Sequence, residues 1–210
     1  MKKLQEALNW RYAVKKFDAS KKIATSDFEQ LKEAVKLTPS SYGLQPFKVL
    51  VIEDADLRAK LQAACWGQTQ IVDASHLLIF ASLKDIGEKE VAAYLAHKAE
   101  LSGIDVSALK GYQDFMVMKI GEKSAQERAT WNAKQAYIAV GNLLTSAALM
   151  EIDACPMEGF EADQVDEILG LDEQGLSAAV VVALGYRSEE DDTQHAPKVR
   201  KSSEDFFEVR

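Results

Sequence analysis

Cross-linking and metal-binding side chains are scarce: two cysteines and three histidines stand among 210 residues. Cys65 and Cys155 have neither disulfide-framework nor zinc-site spacing, and no tight His/Cys pair forms a metal motif. Two neutral buried thiols and no resident metal are expected. No apolar run is long enough to span a bilayer, and no apolar leader precedes a cleavage site. A cytoplasmic protein without a membrane role is the expectation. Glycine is not gathered where phosphate loops need it. There is no Gly-Lys-Ser/Thr loop and no glycine fingerprint after the first predicted strand, which argues against an NTPase or a Rossmann dehydrogenase. Positive charge is in deficit, since 25 basic against 33 acidic side chains leave a formal charge of −8. A general nucleic-acid surface is not expected, although a local phosphate site is compatible with this balance. A Ser–His–Asp triad can be assembled only on paper, because nothing in the sequence positions one.

An apolar fraction of 47% supports a real core, and the length fits one domain over residues 1–210. The chain is organised around Trp131–Gly159. Tyr137, Val140, Leu143, Leu144 and Ala147 recur at helical steps, and the opposite face from Ala136 to Leu149 is mainly Ala, Gly, Ser and Thr. Such a helix has little free surface, and Gly141 admits a second backbone closely. The segment then leaves the helix and reaches a turn at Cys155-Pro156-Met157-Glu158-Gly159, a place to expose backbone N–H groups.

Met1–Asn9 reads as a short amphipathic helix. Arg11–Asp18 follows, with Arg11, Ala13 and Lys15 on one side if extended. Two cations on one face can grip a phosphate and an electron-rich ring edge, while a solvated charge cluster is the commoner use of such residues. Thr25 to about Thr38 is a capped helix ended by Pro39. Ser40–Pro46 is a polar loop able to bind a ligand or to satisfy its own turn. Phe47–Ile52, Leu77–Ala81 and Ala178–Leu184 read as strands. Asp54–Ala64, Lys89–Ser102 and Asp163–Leu169 read as helices. His76 reads as a structural hydrogen-bonding residue. Between Gly103 and Lys123, Tyr112, Phe115 and Met116 suit an apolar rim over a pocket as well as ordinary core. Beyond an acidic stretch at Glu189–Asp192, Lys198 and Arg200 repeat the spacing of paired cations. Phe206–Val209 reads as a terminal strand that needs an edge to join.

The ordered set Arg11-Tyr-Ala-Val-Lys15-Lys-Phe17, Thr38-Pro-Ser-Ser-Tyr-Gly-Leu-Gln-Pro46, Asp73-Ala-Ser-His76, Lys134-Gln135, Pro156-Met-Glu-Gly-Phe160 and Lys198-Val-Arg200 resembles the FMN-dependent nitroreductase family. Within it, the chain is most similar to the oxygen-insensitive NAD(P)H nitroreductase, or dihydropteridine reductase-like, branch. Each motif is weak alone; the series in order spans nearly the whole chain.

The resemblance implies an α+β fold with a central mixed, mainly antiparallel sheet flanked by helices. It also implies a homodimer with the C-terminal strand exchanged and FMN sites at the interface. It assigns Arg11, Lys198 and Arg200 to the FMN phosphate and Lys15 to the flavin pyrimidine edge. Pro39, Ser40, Ser41 and Gly43 match a flavin-binding loop from the other subunit. Pro156, Met157, Glu158 and Gly159 match the turn beside the ring, with the Glu158 backbone N–H facing flavin N5. Ala13, Gly43, Gly67 and Gln70 stand where relatives carry Ser, Asn, Asn and Lys. Of these only Gln70 retains a polar side chain for the pyrimidine edge. The implied activity is ping-pong, two-electron transfer from NADH or NADPH to a small planar acceptor, a nitroaromatic or quinone. No amino acid serves as a nucleophile in this chemistry. A narrower flavin or dihydropteridine reductase and a non-catalytic FMN-binding protein are the competing readings.

Overall fold

The computed structural model describes residues 3–210, so the beginning of the helix expected from Met1 lies outside the described residues. In chain order the elements are α1 (Leu4–Trp10), α2 (Thr25–Lys36), β1 (Phe47–Ile52), α3 (Ala55–Ala64), α4 (Gln70–Asp73), β2 (His76–Leu83), α5 (Glu88–Ser102), α6 (Lys110–Gly121), α7 (Ala125–Leu149), β3 (Asp153–Met157), α8 (Ala162–Leu169), β4 (Leu176–Gly185) and α9 (Ser203–Phe206). The strands form one sheet in the order β1-β2-β4-β3, and every neighbouring pair is antiparallel. The parallel component expected of a mixed sheet is reduced to an isolated bridge between Ala13 and Ala154.

The two central strands are apolar on both faces because helices cover both. Alternation along β2 sends Leu77, Ile79 and Ala81 into one layer with Leu61 of α3, Ile71 of α4 and Val165 of α8. Leu78 and Phe80 enter the opposite layer with Leu31 and Val35 of α2 and Ala139, Val140 and Leu143 of α7. A smaller core of Ile86, Val91, Leu95, Met116 and Ile120 holds α5 and α6 together as an arm.

Helix α7 runs 25 residues, about 37 Å at 1.5 Å per residue. Ser124 starts it with a reciprocal cap: its hydroxyl accepts from Glu127 N, and the Glu127 carboxylate accepts from Ser124 N. The expectation of little free surface does not hold in the single chain. Tyr137, counted in the inner stripe from its spacing, is exposed together with Ile138 and Gly141, and among the described residues nothing outside the helix's own backbone comes within 4 Å of where a Gly141 Cβ would stand.

One further expectation is corrected, and another is not met within the single chain. Residues 155–157 are strand rather than turn, because Pro156 lies on an edge strand where its missing N–H breaks no ladder. The terminal strand at 206–209 is absent from the single chain. A serine-capped helical turn, Ser203–Phe206, takes its place, and Phe206, Phe207 and Val209 are exposed. Without a sheet edge of its own to join, this segment has no ladder partner among the described residues.

Candidate functional site

The segment from Arg11 to Lys16 is tied down at three points. Val14 is fully buried, and its N–H donates to the Ala154 carbonyl of β3 at 3.4 Å. The third tie is a buried carboxylate. Asp191 Oδ2 accepts from Lys15 N at 2.8 Å, Lys16 N at 3.2 Å and Tyr12 Oη at 3.0 Å, and Oδ1 accepts from Thr193 N. Burial works to raise the Asp191 pKa, yet the hydrogen bonds from Thr193, Lys15, Lys16 and Tyr12 hold it down at about 2. The acidic stretch at 189–192 thus contains the anchor of the lysine segment. Nothing in the sequence distinguishes Asp191 from its acidic neighbours.

Cys155 is the point where three elements meet. Its thiol donates to Pro156 O at 3.9 Å and lies within reach of the Gln70 side chain and of the Lys15 and Arg11 charges. Burial dominates and pushes the thiol up, so it is a neutral group. Arg11, Lys15 and Gln70 are therefore brought together, with Ala13 bridged to the same strand.

Lys198 and Arg200 come to this cluster from the other end of the chain. The Lys198 ammonium donates to Leu8 O at 2.8 Å and to Arg11 O, both carbonyls of the α1 C-terminus and its exit. Its pKa is lowered by burial and by Arg11, Arg200 and Arg187; that of Arg11 is lowered by burial and by Arg200. Neither group forms an ion pair with a carboxylate among the described residues; the Lys198 ammonium is held by carbonyl oxygens alone. Arg187 is already engaged: Asp153 accepts from its Nε at 3.0 Å, and its guanidinium stacks on the rings of Trp10 and Tyr12 at 4.3 and 4.6 Å. Arg11, half-buried, and the exposed Lys198 and Arg200 are left as a cation set with capacity for an oxyanion. This donor set fits the phosphate of FMN.

The 156–160 segment is braced from one side by Trp66 and Gln68. Gln68 Nε2 donates to Gly159 O at 2.7 Å and to Cys65 O at 3.0 Å. Trp66 Nε1 donates to Glu161 Oε1 at 2.8 Å, and Glu161 N donates to Ala64 O at 2.9 Å. A Cβ on Gly159 would sit 2.9 Å from the Trp66 ring, so only glycine fits there. Trp66 and Gly67 both adopt left-handed backbone, φ 55 and 70, which turns the indole onto Gly159. On the other side Tyr137 Oη hydrogen-bonds the Glu158 carboxylate. Strand parity orients the backbone. Ala154 O points off the sheet edge toward Val14, and Pro156, of the same parity, also faces the open side; the strand ends at Met157, and Phe160 N donates to Glu158 O at 3.0 Å in the turn that follows. Met157 can offer only its backbone, since its side chain is buried in the core.

The 39–45 loop lies elsewhere in the chain. Ser41 N donates to Gln135 Oε1 of α7 at 2.8 Å, and Ser40 Oγ accepts from Gln45 N at 2.9 Å. Gly43, at φ 79, lies under Tyr94, whose hydroxyl would be 2.8 Å from a Cβ there. Tyr42 and Gln45 are also left-handed, at φ 58 and 44, a conformation costing about 1–2 kcal/mol for a residue with a Cβ. No hydrogen bond or ring contact joins Pro39, Ser40, Ser41 or Gly43 to the cation cluster among the described residues. Of the three rim candidates, Tyr112 and Phe115 are exposed and Met116 is not. Met116 is corrected to a core residue, because its position on α6 faces Val91 and Leu95 of α5. His76 is structural as expected: its ring stacks on Phe28 at 3.8 Å and its Nδ1 is 3.0 Å from Ser75 Oγ.

A family model described as the nitroreductase family matches residues 8–186. A provisionally named NAD(P)H nitroreductase of Staphylococcus saprophyticus is 38% identical over 211 residues, covering 97% of this chain and 94% of that protein. Among solved structures, a provisionally named nitroreductase from Bacillus subtilis superposes with a TM-score of 0.87 at 24% identity, covering 98% of each chain. A provisionally named nitroreductase from Exiguobacterium sibiricum, solved in complex with FMN, superposes with a TM-score of 0.82 at 20% identity, covering 100% of this chain and 98% of that one.

Proposed function

The chain belongs to the nitroreductase family, and from that premise we propose that it is an FMN-dependent NAD(P)H oxidoreductase acting on small planar acceptors such as nitroaromatics and quinones. The observation that carries this reading is the cation set of Arg11, Lys198 and Arg200, drawn from both ends of the chain and left without a carboxylate. It would hold the FMN phosphate. Lys15 and Gln70 would face the pyrimidine edge, where positive charge and an amide donor favour the reduced ring. The Glu158 N–H would meet N5, in the segment that the Trp66 and Gln68 hydrogen bonds brace. Bound FMN supplies the hydride chemistry, accepting two electrons from NADH or NADPH and passing them to the acceptor. The protein then needs no nucleophile, in keeping with a neutral Cys155.

Residues 1–210 would act as one FMN-binding domain within a homodimer. Two features support the dimer. The exposed Tyr137, Ile138 and Gly141 give α7 an unoccupied face, and the Ser40–Ser41 loop is apart from its own chain's cations, as a loop serving the partner's site must be. Exposed Phe206, Phe207 and Val209 would find their sheet edge on the partner.

The test is anaerobic stopped-flow absorbance of FMN-loaded protein, mixed with NADH or NADPH and then with menadione or a nitroarene. Bleaching followed by acceptor-dependent recovery is expected. Failure to bind FMN overturns the cofactor. FMN that neither nucleotide reduces turns the reading to a flavin-binding protein without turnover.

A further inference from the structure

Left-handed backbone is concentrated in one loop: Tyr42 at φ 58, Gly43 at φ 79 and Gln45 at φ 44. Glycine adopts this conformation freely, but tyrosine and glutamine hold it only where the surroundings over-determine it. The local hydrogen bonds, Gly43 N to Ser40 O at 2.9 Å and Leu44 N to Ser41 O at 3.2 Å, close the turn without involving a side chain of Tyr42. What grips Tyr42 is its ring. It meets Tyr112 of α6 edge-on, centroids 6.5 Å apart at 76°, and Trp131 of α7 at 6.2 Å and 65°. Through these contacts Tyr42 and Leu44 pack onto the arm's own core of Leu95, Met116 and Ile120. Ser40 and Ser41 therefore lie beside two supports. One is the Gln135 side chain, which accepts from Ser41 N; the other is the strained joint at Tyr42, whose ring belongs to the arm.

We propose that Tyr42 is a positioning residue: its ring, held by Tyr112 and Trp131, keeps the left-handed turn that sets Ser40 and Ser41, so that arm and loop form one mechanical unit. The consequence for the cofactor rests on the function proposed above, in which this loop serves the flavin site of the partner subunit. Tyr112 is half of the grip and also an exposed rim residue of the arm. A planar acceptor seated against Tyr112 therefore acts on the same ring contact that fixes the cofactor loop.

The experiment is hydrogen–deuterium exchange of the full chain without cofactor, followed by FMN titration of the same variants. Tyr42→Ala, which loses both ring contacts, should speed exchange of the Gly43–Gln45 amides roughly tenfold, and Tyr112→Ala, which loses one, roughly threefold. Exchange in α2 should not change. Tyr42→Phe keeps the ring and should remain close to wild type. The decisive comparison is Tyr42→Gly with Tyr42→Ala. Glycine removes the left-handed penalty, so Tyr42→Gly should exchange roughly fivefold more slowly than Tyr42→Ala. A glycine variant no slower than alanine would mean that the turn does not depend on the left-handed conformation at position 42. Unchanged loop exchange in Tyr112→Ala, or a glycine variant exchanging as fast as alanine, overturns the proposal. Tyr112 is partly exposed, so Tyr112→Ala remains informative if a Tyr42 variant fails to fold. The FMN dissociation constants should rise in the order phenylalanine, glycine, alanine. If wild type binds no FMN while the exchange order holds, the coupling stands and the flavin function falls.

Discussion

Replacing Asp191 with asparagine should destabilise the fold by an amount that depends on pH. The carboxyl lies at about 2 in the folded protein against 3.8 for the free group, which corresponds to roughly 2.4 kcal/mol of preference for the ionised form at 1.36 kcal/mol per pH unit. Asparagine keeps one acceptor oxygen for the Lys15, Lys16 or Tyr12 donors. The net cost of Asp191→Asn at pH 7 is therefore expected to be about 1–2 kcal/mol. The folded pKa is depressed, so the stabilisation is complete above the unfolded value near 4 and disappears as pH falls from about 4 through about 2. Urea unfolding followed by tryptophan fluorescence, at fixed protein concentration, reads this directly. With a slope of about 2 kcal/mol per molar urea, the midpoint should drop by about 0.5–1 M at pH 7. The gap to wild type should narrow at pH 3. An equal midpoint at pH 7, or a gap that does not change between pH 7 and pH 3, would refute the argument that this carboxylate anchors the lysine segment as an anion.

Removing Arg11 and Lys198 together by alanine should weaken FMN binding by about 10–100-fold, the loss of one or two charge-assisted hydrogen bonds, in fluorescence titration at constant salt. The same variant's cofactor-free melting temperature should not fall by the same measure, because a repulsive pair is removed as well. Gly159→Ala drives a methyl into the Trp66 ring and should slow flavin reduction by NAD(P)H in stopped flow; adding Trp66→Ala, which vacates the space, should recover part of the rate. Met116→Ala should cost about 2–5 kcal/mol in urea unfolding, as for other emptied core sites. Phe115→Ala, at an exposed position, should leave stability within about 0.5 kcal/mol and change only the KM for acceptors.

The long periodic elements were readable because burial imposes their period. Leu31 and Val35 mark the inner side of α2, and the unbroken apolar run at 77–81 marks a strand covered on both faces. Errors arose where one local rule competed with tertiary context. Pro156 and Gly159 read as a turn, yet an edge strand tolerates the proline and only the glycine is dictated by a close approach. Tyr137 fits the inner stripe by spacing but falls on the open side of α7, and Met116 fits an exposed rim by composition but falls on the inner side of α6. A four-residue apolar segment at 206–209 cannot state whose sheet it joins. The candidate site was legible as an ordered series of short motifs. Its supports were not: Asp191, Gln68 and Trp66 act through hydrogen bonds across long sequence separations, which no local pattern encodes.

The use of charge in this molecule separates structure from binding. Acid is in excess over the whole chain, so cations held without an ion pair at one place do not reflect a shortage of carboxylates. Arg187 is fully matched by Asp153 and two rings, and the buried Arg58 is held by the carbonyls of Ile52, Ala74 and Ser75. Asp191 lies near enough to the cluster to act on Cys155, as Arg11 does, yet its oxygens are directed to backbone N–H groups and to Tyr12. The carboxylate thus fixes where the lysine segment runs without neutralising the side chains that the segment presents. Arg11, Lys198 and Arg200 repel one another, and burial lowers the pKa of the first two. Left alone, that arrangement lowers stability. A ligand that binds only the folded state reverses the loss, by about 2.7 kcal/mol at a concentration of one hundred dissociation constants. On the proposed function, the cluster would be half of an ion pair whose other half is the phosphate of FMN.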